Sequence, residues 1–156
     1  MEKQKVGKLV VRSIAFSHNG NIPLQYTCEG ENFNPPIDIS DTPDATETLA
    51  LIMEDPDAPR GIFVHWLLWD LAPHNSIVEK TQQGISGKND FGKMGYGGPC
   101  PPSGTHSYYF RVFALDNSPD LQPGADKDTL LDAMKGHIIA KGELMGLYSK
   151  KNKSNL

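Results

Sequence analysis

Two stretches of the sequence carry residues able to do chemistry. The first is Asp55-Pro56-Asp57-Ala58-Pro59, followed ten positions after Asp55 by His65 and then Trp66. Two carboxylates two residues apart point to one side of an extended segment, and the prolines fix the backbone around them. A histidine within reach of a carboxylate serves acid–base work or forms an oriented hydrogen-bonding pair. The second stretch is residues 92–104, where eight of thirteen positions are Gly or Pro, leading into His106, Ser107 and Tyr108. Gly lets backbone N–H groups come close to a ligand, and Pro holds a loop open. N–H groups arranged as a concavity favour anions. His106 and Tyr108, at i and i+2 of an extended run, face the same side. Each stretch also has a plain structural reading: aspartates capping a turn, a core histidine bonded to backbone, and an irregular loop with Tyr108 as a core aromatic.

Other signatures of catalysis are missing. Gly-Lys occurs at 7–8, 87–88 and 92–93 but never before Ser or Thr, so there is no P-loop. There is no G-x-S-x-G, no H-E-x-x-H and no C-x-x-C. No metal or cofactor is expected, and an acid–base hydrolase built on Asp55, His65 and His106 ranks last among the functional readings. His18, His74 and His137 sit in turn-like contexts or by a helix end and read as solvated. Cys28 and Cys100 read as free thiols, since two cysteines are too few for a disulfide framework and a reduced compartment rarely bonds one pair.

The elements that must position these residues are mostly strands. Residues 8–16 (KLVVRSIAF), 48–53 (TLALIM), 63–71 (FVHWLLWDL) and 107–115 (SYYFRVFAL) are β-branched or aromatic runs closed by turn residues. The last alternates Tyr108, Phe110, Val112 and Ala114 with Ser107, Tyr109, Arg111 and Phe113, and apolar residues in both sets predict cover on both faces. One helix is expected after Asp126 or Asp128, with Leu130, Leu131 and Met134 as its apolar set and Gly136 near its end. Residues 142–148 (GELMGLY) return to alternation, and 150–156 read as a frayed tail. No βαβ rhythm is present. The expectation is one mainly β domain over residues 1–156, an antiparallel β-sandwich with one or two peripheral helices.

Composition bounds the partners. The 156 residues include 27 Gly and Pro, about 17% against a usual ~12%, which signals many loops. Lys and Arg number 15 against 19 Asp and Glu, a net charge of −4, which argues against a nucleic-acid partner. No apolar run approaches the ~18 residues a transmembrane helix needs. The opening MEKQKVGKLVVRS has no signal-peptide core, so a cytoplasmic location is expected.

The two stretches, in this order, resemble the phosphatidylethanolamine-binding protein family, also called Raf-kinase-inhibitor-like proteins. DPDAP at 55–59, HW at 65–66 and FGKMGYGGPCPPSGTHSYYFRVFALD at 91–116 carry the resemblance, with NPPIDISDTP at 34–43 more loosely. The length is similar to that of the short bacterial and archaeal branch. The resemblance implies a β-sandwich with a small anion pocket at one end. Its ligand-binding residues would be Asp55, Asp57, His65, Gly98, Pro99, His106 and Tyr108. It implies a non-enzymatic protein that binds a phosphate-like group or phospholipid headgroup, or else an inhibitor of a kinase or serine protease. A second copy of the chain is a further candidate partner. Ser107 stands where family members commonly have Arg, and Ile39 where they have Trp. Without that arginine, the imidazoles of His65 and His106 are the expected source of positive charge for an anion.

Overall fold

The computed structural model describes residues 5–150; all but the first residue of the expected frayed tail lies outside them. Six strands form one sheet in the order β1 (Gly7–Lys8), β8 (Ile138–Ser149), β7 (Thr105–Leu115), β4 (Thr48–Asp55), β5 (Phe63–Leu71) and β6 (Ile85–Ser86). All neighbours are antiparallel except β1 and β8, so the sheet is mixed. A two-stranded antiparallel sheet of β2 (Val10–Arg12) and β3 (Asp38–Ser40) forms the thin second layer. One 3-10 turn (Leu24–Tyr26) and one α-helix, α1 (Lys127–Met134), complete the elements.

The large sheet buries both faces. On one, Leu49, Leu51 and Met53 of β4 meet Trp66 and Leu68 of β5 and Tyr108, Phe110, Val112 and Ala114 of β7, covered by Leu9, Val11, Phe16, Ile22 and Ile37. On the other, Ala50, Ile52, Val64, Leu67 and Trp69 pack on Leu130 and Met134 of α1. Two-sided cover explains the almost unbroken apolar runs in β4 and β5. In β7 the even positions are buried, while Ser107, Tyr109, Arg111 and Phe113 are only partly covered. Asp126 caps α1 by accepting from the Thr129 N–H at 2.9 Å.

The expected strand over 8–16 is shorter. Pairing stops at Arg12, and the Ser13 hydroxyl accepts from the Ala15 N–H at 3.1 Å, a local turn that competes with the ladder. A second expectation fails outright. Cys28 and Cys100 are not free thiols but a disulfide, with Cα atoms 5.4 Å apart and 72 residues between them in sequence. The segment around Cys28 and the Gly/Pro loop lie against each other: the Cys28 N–H donates to the Pro99 carbonyl at 3.1 Å, and the Tyr96 hydroxyl donates to the Tyr26 carbonyl at 2.7 Å. Counting cysteines carries no information on such proximity.

A cross-link closing a loop of 72 residues removes about 4 kcal/mol of unfolded-state freedom. The double variant Cys28→Ser/Cys100→Ser is therefore expected to melt on the order of 10 °C below the oxidised protein. Thermal unfolding followed by circular dichroism checks this, and coincident melting curves would refute it.

Candidate functional site

The polar residues singled out in the sequence meet where three strands end together. Along β4, alternation places Asp55 on the same face as Leu49, Leu51 and Met53, one step beyond the apolar core. Along β7, His106 and Tyr108 open the buried series that continues with Phe110 and Val112. His65 reaches the same face by a different route. Met53 pairs with Trp66 but Glu54 pairs with Val64, so His65 is an extra residue in β5. A β-bulge of this kind re-aims a side chain. Here it puts His65 beside Tyr108, with ring centroids 5.2 Å apart, while Val64 stays in the opposite core.

The backbone of the bulge is completed by the following loop. Val64 N–H donates to Asp90 Oδ2 at 2.7 Å, Gly97 N–H donates to the His65 carbonyl at 2.9 Å, and the His65 ring donates from Nδ1 to the Gly97 carbonyl at 2.7 Å. Asn89, itself buried, shapes that loop by accepting from the N–H groups of Phe91 and Lys93 and donating to the Gly95 carbonyl.

A cavity of about 180 Å³ results. Its polar residues are Asp55, His65, His106 and Tyr108; its walls are Ala58, Pro59, Phe63, Phe91, Cys100, Pro101 and Pro102. His106 Nδ1 donates to Asp55 Oδ2 at 2.6 Å, and both side chains are buried. The other carboxylate oxygen, Oδ1, accepts from the Asp57 N–H at 2.7 Å. The Tyr108 hydroxyl is sealed from solvent and has no hydrogen-bond partner among the described residues. The Cys100 N–H lies near enough to favour a phenolate but does not complete a bond. Burial, and then the charge of Asp55, push the Tyr108 pKa up, so the group stays an O–H donor. Burial also pulls His65 below the ordinary 6.5, partly offset by the Gly97 carbonyl and by Asp55. His65 therefore resists the positive charge that the sequence assigned to it.

Three expected site residues stand elsewhere. Asp57 is exposed and clips the turn to β7 by accepting from the Ser107 N–H at 2.8 Å. Gly98 gives its N–H to Asn32 Oδ1 at 2.8 Å, and a Cβ there would meet the Tyr26 carbonyl oxygen at 2.1 Å. Its glycine is demanded by packing. Pro99 faces Cys28, and neither Gly98 nor Pro99 lines the cavity. The aromatic walls Phe63 and Phe91, 4.7 Å apart, were not read from the sequence; their one signal is that Phe63 sits two positions before His65. Among the described residues no cluster of His, Cys, Asp and Glu is arranged to hold a metal.

The family model of the phosphatidylethanolamine-binding proteins matches residues 12–149. The chain belongs to this family. Relatives similar to it include a UPF0098 protein of Methanothermobacter thermautotrophicus, 42% identical over 90% of this chain and 98% of the relative. A UPF0098 protein of Archaeoglobus fulgidus is 45% identical over 96% of this chain, which spans only 54% of that relative's length. Among solved structures, the phosphatidylethanolamine-binding protein homolog CT736 of Chlamydia trachomatis superposes with a TM-score of 0.89 at 41% identity, covering 93% of this chain and 99% of that one. YbcL of Escherichia coli, described as a member of the mammalian PEBP family, superposes at 0.85 with 25% identity, covering 93% and 100%.

The lowered His65 pKa has a testable sign. As pH falls, the unfolded chain protonates this histidine first, near 6.5, while the folded chain resists. Its contribution to stability is thus full at neutral pH and is lost as pH drops from 6.5 toward the lowered value. Ring-proton NMR, assigned with His65→Phe, is expected to give a midpoint below 6.5 for His65. A midpoint at or above it would contradict the burial argument.

Proposed function

We propose that the protein binds a small anion bearing a phosphate-like group in the cavity at the end of β4, β5 and β7, without turning it over. The observation that carries this is the convergence of Asp55, His65, His106 and Tyr108, from three strands, on one small cavity. Family membership supports a ligand-binding role. The source of the phosphate-like group, free or as a lipid headgroup, is common chemistry at this level.

Charge sets the conditions. Among the described residues no Lys or Arg lines the cavity and Asp55 does, so the His106 imidazole, already joined to Asp55, is the group placed to offset an incoming negative charge. Among the described residues the lining contains no Ser or Thr, and its cysteine, Cys100, is bonded to Cys28. Among the described residues no helix is long and apolar enough to cross a membrane. The expected cytoplasmic location has to accommodate the disulfide, which persists in oxidising compartments and in the interiors of hyperthermophiles.

Inorganic phosphate titrated calorimetrically is expected to bind with a stoichiometry of one. His106→Ala, which removes the imidazole joined to Asp55, should weaken binding about tenfold. Phosphate binding that survives His106→Ala undiminished would remove the cavity from consideration.

A further inference from the structure

Away from the cavity, at the far edge of the large sheet, an open strand and a group of cations lie together. Strand β1 ends the sheet, and residues 5–8 are all exposed. The Leu9 N–H donates to the Lys141 carbonyl at 2.9 Å, so residues 7 and 9 turn their backbone groups toward β8. By alternation the N–H and C=O of Lys8 point the other way, to the unpaired edge. Lys8 is in register with Lys141 of β8, and Lys141 with Phe113 of β7, so the three side chains form one row across the sheet. Both lysines are exposed, and neither has an ion-pair partner among the described residues. Like charges side by side on neighbouring strands repel. In the next row Arg111 is in register with Glu143 and bonded to it at 2.8 Å, which neutralises that carboxylate.

The groove over these rows has a volume of about 770 Å³, and Val6 and His18 also line it. A second groove, of about 390 Å³, shares His18 and Glu143 with the first and adds Arg12, which stands in register with Asp38. The chain as a whole carries −4, so this excess of cations is local and attracts negative charge. A lysine on a short edge strand also keeps such edges from pairing with one another. That role accounts for Lys8 but not for Lys141, which lies on an inner strand. It also disfavours a second copy as the occupant, since β1 laid against β1 brings the two lysine pairs together.

We propose that the open edge of β1 and the adjoining face of β8 dock an extended peptide segment whose acidic and apolar side chains stand two residues apart. The segment pairs its backbone with Lys8 as an added strand. On its groove face an acidic residue beside Lys8 answers both lysines. An apolar residue two positions away meets Val6, which is 49% exposed. The elongated, two-part groove suits an extended chain better than a compact molecule.

The test uses a fluorescein-labelled octapeptide, Glu-Glu-Val-Val repeated twice, which when extended alternates Glu and Val on each face. Fluorescence anisotropy with the full chain is expected to give a Kd below about 1 mM. Lys8→Glu and Lys141→Glu should each weaken binding at least about tenfold, and the milder Lys141→Gln about threefold. Lys135→Glu, the same charge change at the end of α1, should stay within about twofold. Equal losses in all three charge reversals would overturn the groove in favour of bulk charge. Methylating the peptide's backbone nitrogens removes its donors to the edge and should also cost at least about tenfold; a methylated peptide that binds as well overturns strand addition. No binding at about 1 mM overturns the proposal outright. So does a dimer in sedimentation equilibrium that Lys141→Glu dissociates, which gives the groove to a second copy. Binding to phosphatidylglycerol vesicles that Lys8→Glu and Lys141→Glu abolish, with no binding of the peptide, gives it to a lipid surface instead.

Discussion

The extra residue in β5 is the constraint on which the site depends. Strand β5 has to bury Trp66 and Leu68 in one core and Leu67 and Trp69 in the other. Strict alternation from Trp66 would send residue 65 to the α1 side, away from Asp55 and Tyr108. Inserting His65 opposite the step from Met53 to Glu54 flips the phase for the first part of the strand only. Val64 then serves the far core, and Phe63 and His65 face the cavity together. Bulging frees backbone groups, which would be costly if left unpaired. Asp90 and Gly97 take them up, so the loop that closes the cavity is also what makes the bulge tenable.

Charge is partitioned by the same sheet. Glu54 and Asp55 are neighbours in β4 and both buried, yet they face opposite layers. Glu54 receives Arg111 at 2.9 Å and the Lys127 ammonium, with Arg111 also bonded to Glu143 at 2.8 Å. Asp55 receives only neutral backbone and His106. The fixed cations near the centre of the sheet are thereby committed to the α1 face. What remains on the cavity face is a carboxylate hydrogen-bonded to an imidazole.

Much of this was legible in the sequence, and the failures share a cause. The alternation of β7 could be read directly because no bulge interrupts it within the apolar series, and it placed His106 and Tyr108 on one face correctly. DPDAP pointed to Asp55 and Asp57 alike, and of the two only Asp55 lines the cavity, because Asp57 sits in the turn that follows β4. The phase of β5 was not legible, because a bulge is decided by the partners of its backbone, and Asp90 and Gly97 lie a long way along the chain. The same holds for the glycines. Sequence reasoning took Gly98 as an opening toward a ligand, whereas the close approach is to Tyr26 and Asn32. It is equally true of the Cys28–Cys100 disulfide, whose two segments are joined by tertiary packing and not by any local pattern.

The loop of residues 92–104 resolves into two parts with different physics. Gly97 and Gly98 are buried, and a side chain at either would strike the Phe91 ring at 2.4 Å or the Tyr26 carbonyl at 2.1 Å. These positions are spent on packing the loop against the 26–32 segment, where the disulfide, Asn32 and Tyr96 hold it. Cys100, Pro101 and Pro102 then present a wall with few rotatable bonds to the cavity. A wall already fixed loses little freedom when a ligand arrives, so little binding energy goes to ordering it.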